Sequence, residues 1–108
     1  MSPISSPVLA AGIRLRSAVC DTEVIVIRTP QATHLSCGGY PMLQHKDETR
    51  IDGQVRAGFG GGSLLGKRYV LPGRTDLEVM VTRGGVGSLS VDGIVLVQKE
   101  SKPLPSSD

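Results

Sequence analysis

The sequence predicts an all-β protein, built as a small antiparallel barrel or sandwich. Three observations indicate this fold class. The chain has one Phe and no Trp, so its core must be built from Val, Leu and Ile, which favour strands where they are β-branched. Short runs of these residues alternate with polar ones at period two, and 14 Gly and 7 Pro separate the runs by turns. At 108 residues the chain has the size of a single domain.

The first half of the chain, residues 17–45, is predicted to form a hairpin that carries both cysteines. Residues 1–12 precede it as a flexible arm, because they contain three Ser and two Pro. Residues 13–16 alternate apolar and basic side chains, as a half-buried strand does. The β-branched run 24–27 predicts a strand covered on both faces, or one whose outer face meets a partner. Residues 34–37 are the return strand, which ends in a Gly-Gly turn and brings the cysteines toward one end of the hairpin.

The second half is predicted to form an antiparallel meander over residues 67–98. Residues 53–66 lead into it and contain six glycines, so we expect a mobile loop there. Asp92-Gly93 is a strong signal for a tight hairpin turn, and residues 99–108 form an extended tail. Three or four antiparallel strands make up the meander, and the candidate segments are residues 67–71, 77–82, 88–91 and 94–97.

Charge and composition exclude some partners. The formal net charge is +2, and basic residues are not interleaved with aromatic ones, so nucleic-acid binding has no support. No window reaches the roughly 18 apolar residues that a membrane span needs. The N-terminus carries no basic region ahead of its short apolar patch, which is the wrong order for a secretory signal. We therefore expect a cytoplasmic protein, in which two cysteines favour free thiols, metal ligation or redox chemistry over a structural disulfide.

The chemistry that the sequence offers is concentrated around its two cysteines. His34 stands three residues before Cys37, which Gly-Gly follows, and this is the form of a metal-binding turn whose backbone amides point at the sulfur. Cys20 provides a second thiol and His45 a fourth donor. We therefore identify Cys20, His34, Cys37 and His45 as candidate ligands of a zinc or iron ion. Two other interpretations stay open: two buried cysteines without chemistry, or a Cys37 nucleophile activated by the neighbouring imidazole.

Two stretches, residues 19–27 and 35–42, resemble the desulforedoxin module, the small iron-binding domain also found at the start of desulfoferrodoxins. The family pattern is Cys-x-x-Cys-Gly, a strand, a turn, then Cys-Cys-Gly and a Met shortly afterwards. On this resemblance Cys20 matches the first cysteine, Cys37 the last cysteine and Met42 the methionine.

The sequence departs from that pattern at two of the four iron ligands. Glu23 stands in place of the second cysteine and Ser36 in place of the third. The family's four-thiolate iron site therefore does not transfer intact, although two chains together would supply four thiolates. The resemblance is confined to residues 17–42, and it implies a rubredoxin-like hairpin fold more than a bound iron.

The glycine-rich stretch 61–68 nearly fits the phosphate-binding loop Gly-x4-Gly-Lys-Ser/Thr. Arg68 replaces the hydroxyl residue that would hold magnesium, and a predicted strand follows where that loop requires a helix. We therefore expect a flexible loop of a β protein. Its amides and two cations still predict contact with an anionic ligand or with carboxylates of a partner, through Gly61, Gly62, Lys67 and Arg68.

Few residues are placed for catalysis. Asp76 and Glu78 would share a face of a strand, but surface charge explains the pair, and no Ser-His-Asp set is identifiable. We therefore expect a small non-catalytic accessory or interaction protein. It would act with a larger enzyme, bind a protein partner or a second copy, and hold zinc or iron through Cys20 and Cys37. The alternative is a small thiol or iron redox protein that transfers electrons, and a third option is a ligand-binding β domain with the glycine loop as its lid.

Overall fold

Ten short strands form two antiparallel sheets in the computed structural model, which describes residues 7–99. The strands are β1 (Arg14–Arg16), β2 (Glu23–Arg28), β3 (Ser36–Cys37), β4 (Tyr40–Pro41), β5 (Leu43–Gln44), β6 (Arg68–Val70), β7 (Glu78–Arg83), β8 (Leu89–Val91), β9 (Ile94–Val95) and β10 (Val97–Gln98). The larger sheet has the order β10-β6-β7-β2-β1-β5 and the smaller β4-β3-β8-β9. Neither sheet closes into a barrel over residues 7–99, so the fold is sandwich-like and the all-β prediction is confirmed.

The two longest strands, β2 and β7, pair at the centre of the larger sheet. Val24 lies opposite Val81 and Val26 opposite Val79, and all four side chains are at most 1% exposed. Side chains on a strand alternate between its faces, so Ile25 lies on the opposite face, where it is only half-buried. The predicted strand at 24–27 is therefore present, and its side chains are fully buried on one face of the sheet only.

The two sheets share one hydrophobic core. Leu15 of β1 and the valines of β2 and β7 belong to the same cluster as Leu35, Met42 and Leu89 from the smaller sheet and its flanks. Full burial of a Leu or Val side chain contributes roughly 1.5–3 kcal/mol relative to exposure.

No helix among residues 7–99 is long and apolar enough to span a membrane.

The predicted pairing of residues 24–27 with residues 34–37 is wrong. Strand β2 pairs with β1 and β7, whereas β3 pairs with β4 and β8 in the other sheet. The Gly-Gly turn explains why β3 pairs downstream. Gly38 and Gly39 have φ values of 65° and 87°, the left-handed conformation of a tight two-residue hairpin turn, and they join β3 to β4.

The predicted meander is also divided between the two sheets. Strands β6 and β7 form a hairpin in the larger sheet, β8 and β9 form a hairpin in the smaller one, and β10 returns to pair with β6. The turn at Asp92-Gly93 is confirmed, with φ values of 51° and 80°. The predicted strand 94–97 is interrupted at Leu96, whose side chain is buried while its neighbours on both sides are exposed. The chain crosses between sheets there and over residues 84–87.

Parts of the predicted arm and tail lie outside the described residues, namely 1–6 and 100–108. Within the rest of the arm, Leu9 is buried and its amide donates to the Thr33 carbonyl at 2.8 Å. The predicted glycine loop 53–66 has no regular strand, but hydrogen bonds connect it to both sheets. The Arg56 amide donates to the Gly38 carbonyl at 2.9 Å, and the Gly66 amide donates to the Val81 carbonyl at 2.8 Å.

Candidate dithiol site

The two cysteines meet where the two sheets adjoin. Cys20 lies in the turn that joins β1 to β2 of the larger sheet, and Cys37 lies in β3 of the smaller sheet. Their sulfur atoms are 3.8 Å apart, and both residues are free thiols. The sequence left open whether the cysteines come together, and the structure places them side by side, without the hairpin that was predicted to bring them there.

The turn that carries Cys20 is shaped by Ser17. The Ser17 hydroxyl accepts hydrogen bonds from the amides of Val19 and Cys20, each at 3.1 Å, a local side-chain bond that is typical of Ser in turns. The Ser17 amide donates to the Thr22 carbonyl at 2.8 Å and closes the turn. The chain therefore holds Cys20 at a defined position ahead of β2.

Two hydroxyl groups surround the Cys20 sulfur. Ser17 Oγ and Thr22 Oγ1 each lie 3.3 Å from Cys20 Sγ. A hydroxyl accepts from a thiol and donates to a thiolate, so both groups can serve either ionisation state of Cys20. Sequence reasoning missed Ser17 and Thr22, and the signal that would have found them is the spacing Ser-x-x-Cys-x-Thr in residues 17–22.

The two thiols differ in exposure. Cys37 is 0% exposed and belongs to the hydrophobic core, whereas Cys20 is half-buried at its edge. Alternation along β3 explains the burial of Cys37, because its neighbour Ser36 lies on the opposite face and is partly exposed. A reagent from solvent therefore reaches Cys20 first.

Coupling between the thiols displaces their pKa values in opposite directions. A hydrogen bond from the Cys37 thiol lowers the pKa of Cys20; partial burial opposes this shift, and the hydroxyls of Ser17 and Thr22 add to it. The same hydrogen bond, together with burial and the charge of Cys20, raises the pKa of Cys37. The arrangement favours a Cys20 thiolate beside a neutral Cys37 thiol.

Glycines let the backbone approach the thiols closely. A Cβ atom on Gly87 would lie 2.9 Å from Cys37 Sγ and 2.9 Å from the Gly38 amide nitrogen. A Cβ atom on Gly85 would overlap Thr22 Oγ1. Real Cβ atoms do not approach other atoms so closely, so the crossing segment 84–87 packs over the site only because these positions lack side chains.

The structure brings together two of the four predicted metal ligands. His45 is exposed, and its Nε2 lies 3.0 Å from Glu23 Oε1. His34 is also exposed. Over residues 7–99, no group of three or more His, Cys, Asp or Glu side chains could hold a metal ion. Of the four predicted ligands, Cys20 and Cys37 contact each other, whereas His45 contacts Glu23.

The donors of one chain do not complete the four-thiolate iron site that the desulforedoxin resemblance implies. Glu23, at the place of the second cysteine, contacts His45 and Arg83 through its carboxylate. Ser36, at the place of the third, lies on the opposite face of β3 from Cys37. Met42 is fully buried in the hydrophobic core.

The four predicted contact residues of the glycine loop differ in their surroundings. The Gly61 amide donates to the Ser88 hydroxyl at 2.7 Å, and Arg68 Nη1 lies 3.3 Å from Glu78 Oε2. Gly62 has a φ of 89° at the bridge between Ser63 and Gly85. Lys67 is exposed and immediately precedes β6, so a strand follows the loop, as predicted.

A second polar cluster surrounds Glu78, which the sequence had assigned to surface charge. That assignment is wrong, because the Glu78 side chain is 1% exposed and contacts three cations, Arg28, Arg68 and Lys99. Burial raises the pKa of Glu78, but the hydrogen bond and charge of Lys99, with the charges of the two arginines, outweigh it and leave the pKa below its ordinary value. The cluster joins β2, β6 and β7 to the residue that follows β10.

Comparison of the chain with protein-family models, with curated proteins and with solved structures finds no match. Among the described residues, the thiol pair combines close contact, unequal exposure and opposed pKa shifts in one place. It is the strongest candidate for chemistry.

Proposed function

We propose that Cys20 and Cys37 form a reversible dithiol–disulfide centre, so that the protein transfers electron pairs to or from a disulfide substrate. The observation that carries this proposal is the 3.8 Å contact between one half-exposed and one buried thiol. A disulfide bond is about 2.05 Å long. The two sulfur atoms would therefore have to move toward each other to form the bond, by a distance shorter than the bond itself. The expected cytoplasmic location would keep the pair reduced between reactions.

The reaction proceeds by thiol–disulfide exchange in two steps. The Cys20 thiolate attacks one sulfur of a substrate disulfide, forms a mixed disulfide with it and expels the other substrate sulfur as a thiolate. Cys37 then loses its proton to the expelled thiolate and attacks Cys20 Sγ, which releases the remaining substrate sulfur. The substrate disulfide gains two electrons and leaves as one thiol and one thiolate, which takes a further proton from water if its pKa requires it, and the cysteine pair is oxidised to one disulfide.

The surroundings of each thiol suit these two roles. Hydroxyl groups of Ser17 and Thr22 can donate to the Cys20 thiolate and keep the attacking sulfur charged. Burial keeps Cys37 neutral and out of reach of solvent until the mixed disulfide forms beside it. The resolving step is intramolecular, so it proceeds faster than attack by a second thiol from solution.

Mass spectrometry after exposure to glutathione disulfide tests the proposal. Wild-type protein is expected to lose both titratable thiols and a mass of two hydrogens, without retaining glutathione. The Cys37→Ser variant is expected to retain one glutathione on Cys20, because no resolving thiol remains. The Cys20→Ser variant is expected to react far more slowly. Equal reactivity of the two variants, or a wild-type protein that forms no internal disulfide, would contradict the proposal.

A second candidate function is the accessory role, in which Cys20 and Cys37 contribute half of a zinc or iron site. In a tetrahedral site with metal–sulfur bonds of about 2.3 Å, two sulfur ligands lie about 3.8 Å apart, which is the separation of these two sulfur atoms. A structural site normally has four ligands, so a protein partner or a second copy of the chain would supply the other two.

Elemental analysis of the untagged protein, with a thiol titration on the same sample, separates the two functions. Stoichiometric zinc or iron with masked thiols would support the accessory role, and light scattering would then show whether two chains share the ion. Two titratable thiols without metal, in protein purified alone and with its associated proteins, would contradict it.

A further inference from the structure

A cleft lies beside the N-terminal end of β1, at the edge of the larger sheet. Its volume is about 430 Å³, which falls in the range of roughly 300–1,000 Å³ that is typical of small-molecule sites. The lining comes from the segment that leads into β1 and from the end of edge strand β5. Neither Cys20 nor Cys37 belongs to the lining, so the cleft is a separate place from the thiol pair.

Backbone hydrogen bonds fix both segments that form the cleft. The Gly12 amide donates to the Val26 carbonyl at 2.7 Å, and the Val26 amide donates to the Ile13 carbonyl at 3.0 Å. These bonds attach the segment before β1 to β2. The His45 amide donates to the Arg14 carbonyl at 3.1 Å and holds the end of β5 against β1. The cleft is therefore formed before any ligand binds, as small-molecule sites usually are.

Part of the lining is apolar. Ile13 is partly buried and packs against the hydrophobic core, and Pro7 is also partly buried. Val8 is 54% exposed. A ligand with an apolar body would cover this surface and remove it from water, which favours binding.

The charged side chains of the lining are basic. They are Arg14, His45 and Lys46, and no acidic residue of the described chain belongs to the lining. The His45 imidazole contacts Glu23, whereas Arg14 and Lys46 form no ion pair with another described residue. Asp47 follows Lys46 in the chain, but its carboxylate accepts a backbone amide of its own turn. Two cations therefore stay available to a ligand.

We infer that this cleft binds a small organic anion with an apolar body, of the class of a medium-chain carboxylate. The carboxylate would lie near Arg14 and Lys46, because an exposed guanidinium and an ammonium group attract it. The hydrocarbon chain would lie against Val8 and Ile13. The cations select an anion, and the apolar residues select a hydrocarbon body over a bare inorganic ion. This binding activity is independent of the proposed dithiol function.

Three small probes test the two halves of the inference. Octanoate carries both the charge and the hydrocarbon chain, acetate carries the charge alone, and octylammonium carries the chain with the opposite charge. Titration of the ¹⁵N-labelled full chain by NMR measures the affinity and locates the site. Octanoate is expected to cause saturable shifts in the amides of residues 12–14 and 44–46. Acetate and octylammonium are each expected to bind at least about tenfold more weakly.

The decisive variant combines Arg14→Gln with Lys46→Gln. Its affinity for octanoate is expected to fall about tenfold, as the loss of two exposed ion pairs would produce. Both side chains are exposed, so unchanged amide signals in β7 and β8 are expected to show that the fold is kept. The matched control is Lys67→Gln, which removes an exposed cation just before β6, a strand that β7 and β2 separate from β1. It is expected to bind octanoate like the wild-type protein.

Each other outcome would overturn the inference. Acetate or octylammonium that binds as tightly as octanoate would remove the need for one half of the lining. Wild-type affinity in the double variant, or shifts that spread over the surface without saturation, would show that the cations and the cleft do not form a site. Sedimentation with phosphatidylglycerol vesicles in place of octanoate binding would show that a lipid surface meets these cations. None of these results would alter the dithiol function, which the glutathione disulfide experiment tests separately.

Discussion

Oxidation of Cys20 and Cys37 to a disulfide is expected to stabilise the folded chain by about 3 kcal/mol. The bond would join positions 17 apart in the sequence, and closing a loop of that length lowers the entropy of the unfolded chain by an amount worth roughly 3 kcal/mol at 25 °C. The native state requires a small adjustment, because the sulfur atoms start 3.8 Å apart. The same free energy makes the disulfide harder to reduce in the folded chain than in the unfolded one.

Thermal unfolding of oxidised and dithiothreitol-reduced protein measures this difference. For a chain of this size, about 3 kcal/mol corresponds to an increase in Tm on the order of 10 °C. The Cys37→Ser variant, treated with the same oxidant and reductant, is the control and should show no change. Its lack of change would assign the wild-type effect to the internal bond.

Two results would refute the reasoning. An oxidised protein less stable than the reduced one would mean that bond formation distorts the native packing by more than the loop entropy gains. A wild-type shift that the Cys37→Ser variant reproduces would mean that oxidant acts elsewhere in the chain. Either result would remove the stabilising role of the bond, and the second would also weaken the proposed redox centre.

Three further predictions address single sites. Gly87→Ala should lower the free energy of unfolding by about 1–3 kcal/mol and slow internal disulfide formation, because its Cβ would overlap Cys37 Sγ. Chemical denaturation measures the loss of stability. The control is Gly53→Ala, whose Cβ meets nothing within 4 Å. Glu78→Gln should cost about 1–3 kcal/mol at neutral pH, since its cationic partners stay half-exposed. The lowered pKa makes that contribution complete above about pH 4.3, the ordinary pKa of Glu, and it is lost as pH falls through the folded-state pKa, so the stability curves of wild type and variant should converge in acid. Cys37→Ala should raise the pKa of Cys20, seen as a shift of its iodoacetamide alkylation profile to higher pH; an unchanged profile would contradict the coupling.

Features that depend on neighbouring residues were predictable from the sequence. Asp92-Gly93 forms the expected turn because both residues take a positive φ that Asp tolerates and Gly favours. The β-branched run 24–27 forms a strand for similarly local reasons. The six glycines of residues 53–66 exclude regular structure there, although the tertiary hydrogen bonds of that segment were not apparent from composition.

Features that depend on distant residues were not predictable. The prediction paired β3 with the nearest earlier strand. In the structure β3 pairs with β4, to which the following turn joins it, and with β8, about 50 residues later. The burial of Glu78 depends on Arg28 and Lys99, which lie 50 and 21 positions away. His34 and His45 fit a ligand spacing along the chain, yet spacing alone does not place an imidazole beside a thiol.

The difference between the two cysteines follows from this topology. The predicted hairpin would have brought both cysteines toward one end of the same pair of strands. Instead Cys37 faces inward from β3 of one sheet, whereas Cys20 sits in a turn of the other sheet, where local hydroxyl groups set its position. Because the sheets meet at this point, a half-exposed thiol lies in contact with a buried one. In the proposed reaction this difference sets the order of the steps: an external disulfide would meet Cys20 first, and Cys37 would react with Cys20 once the mixed disulfide has formed.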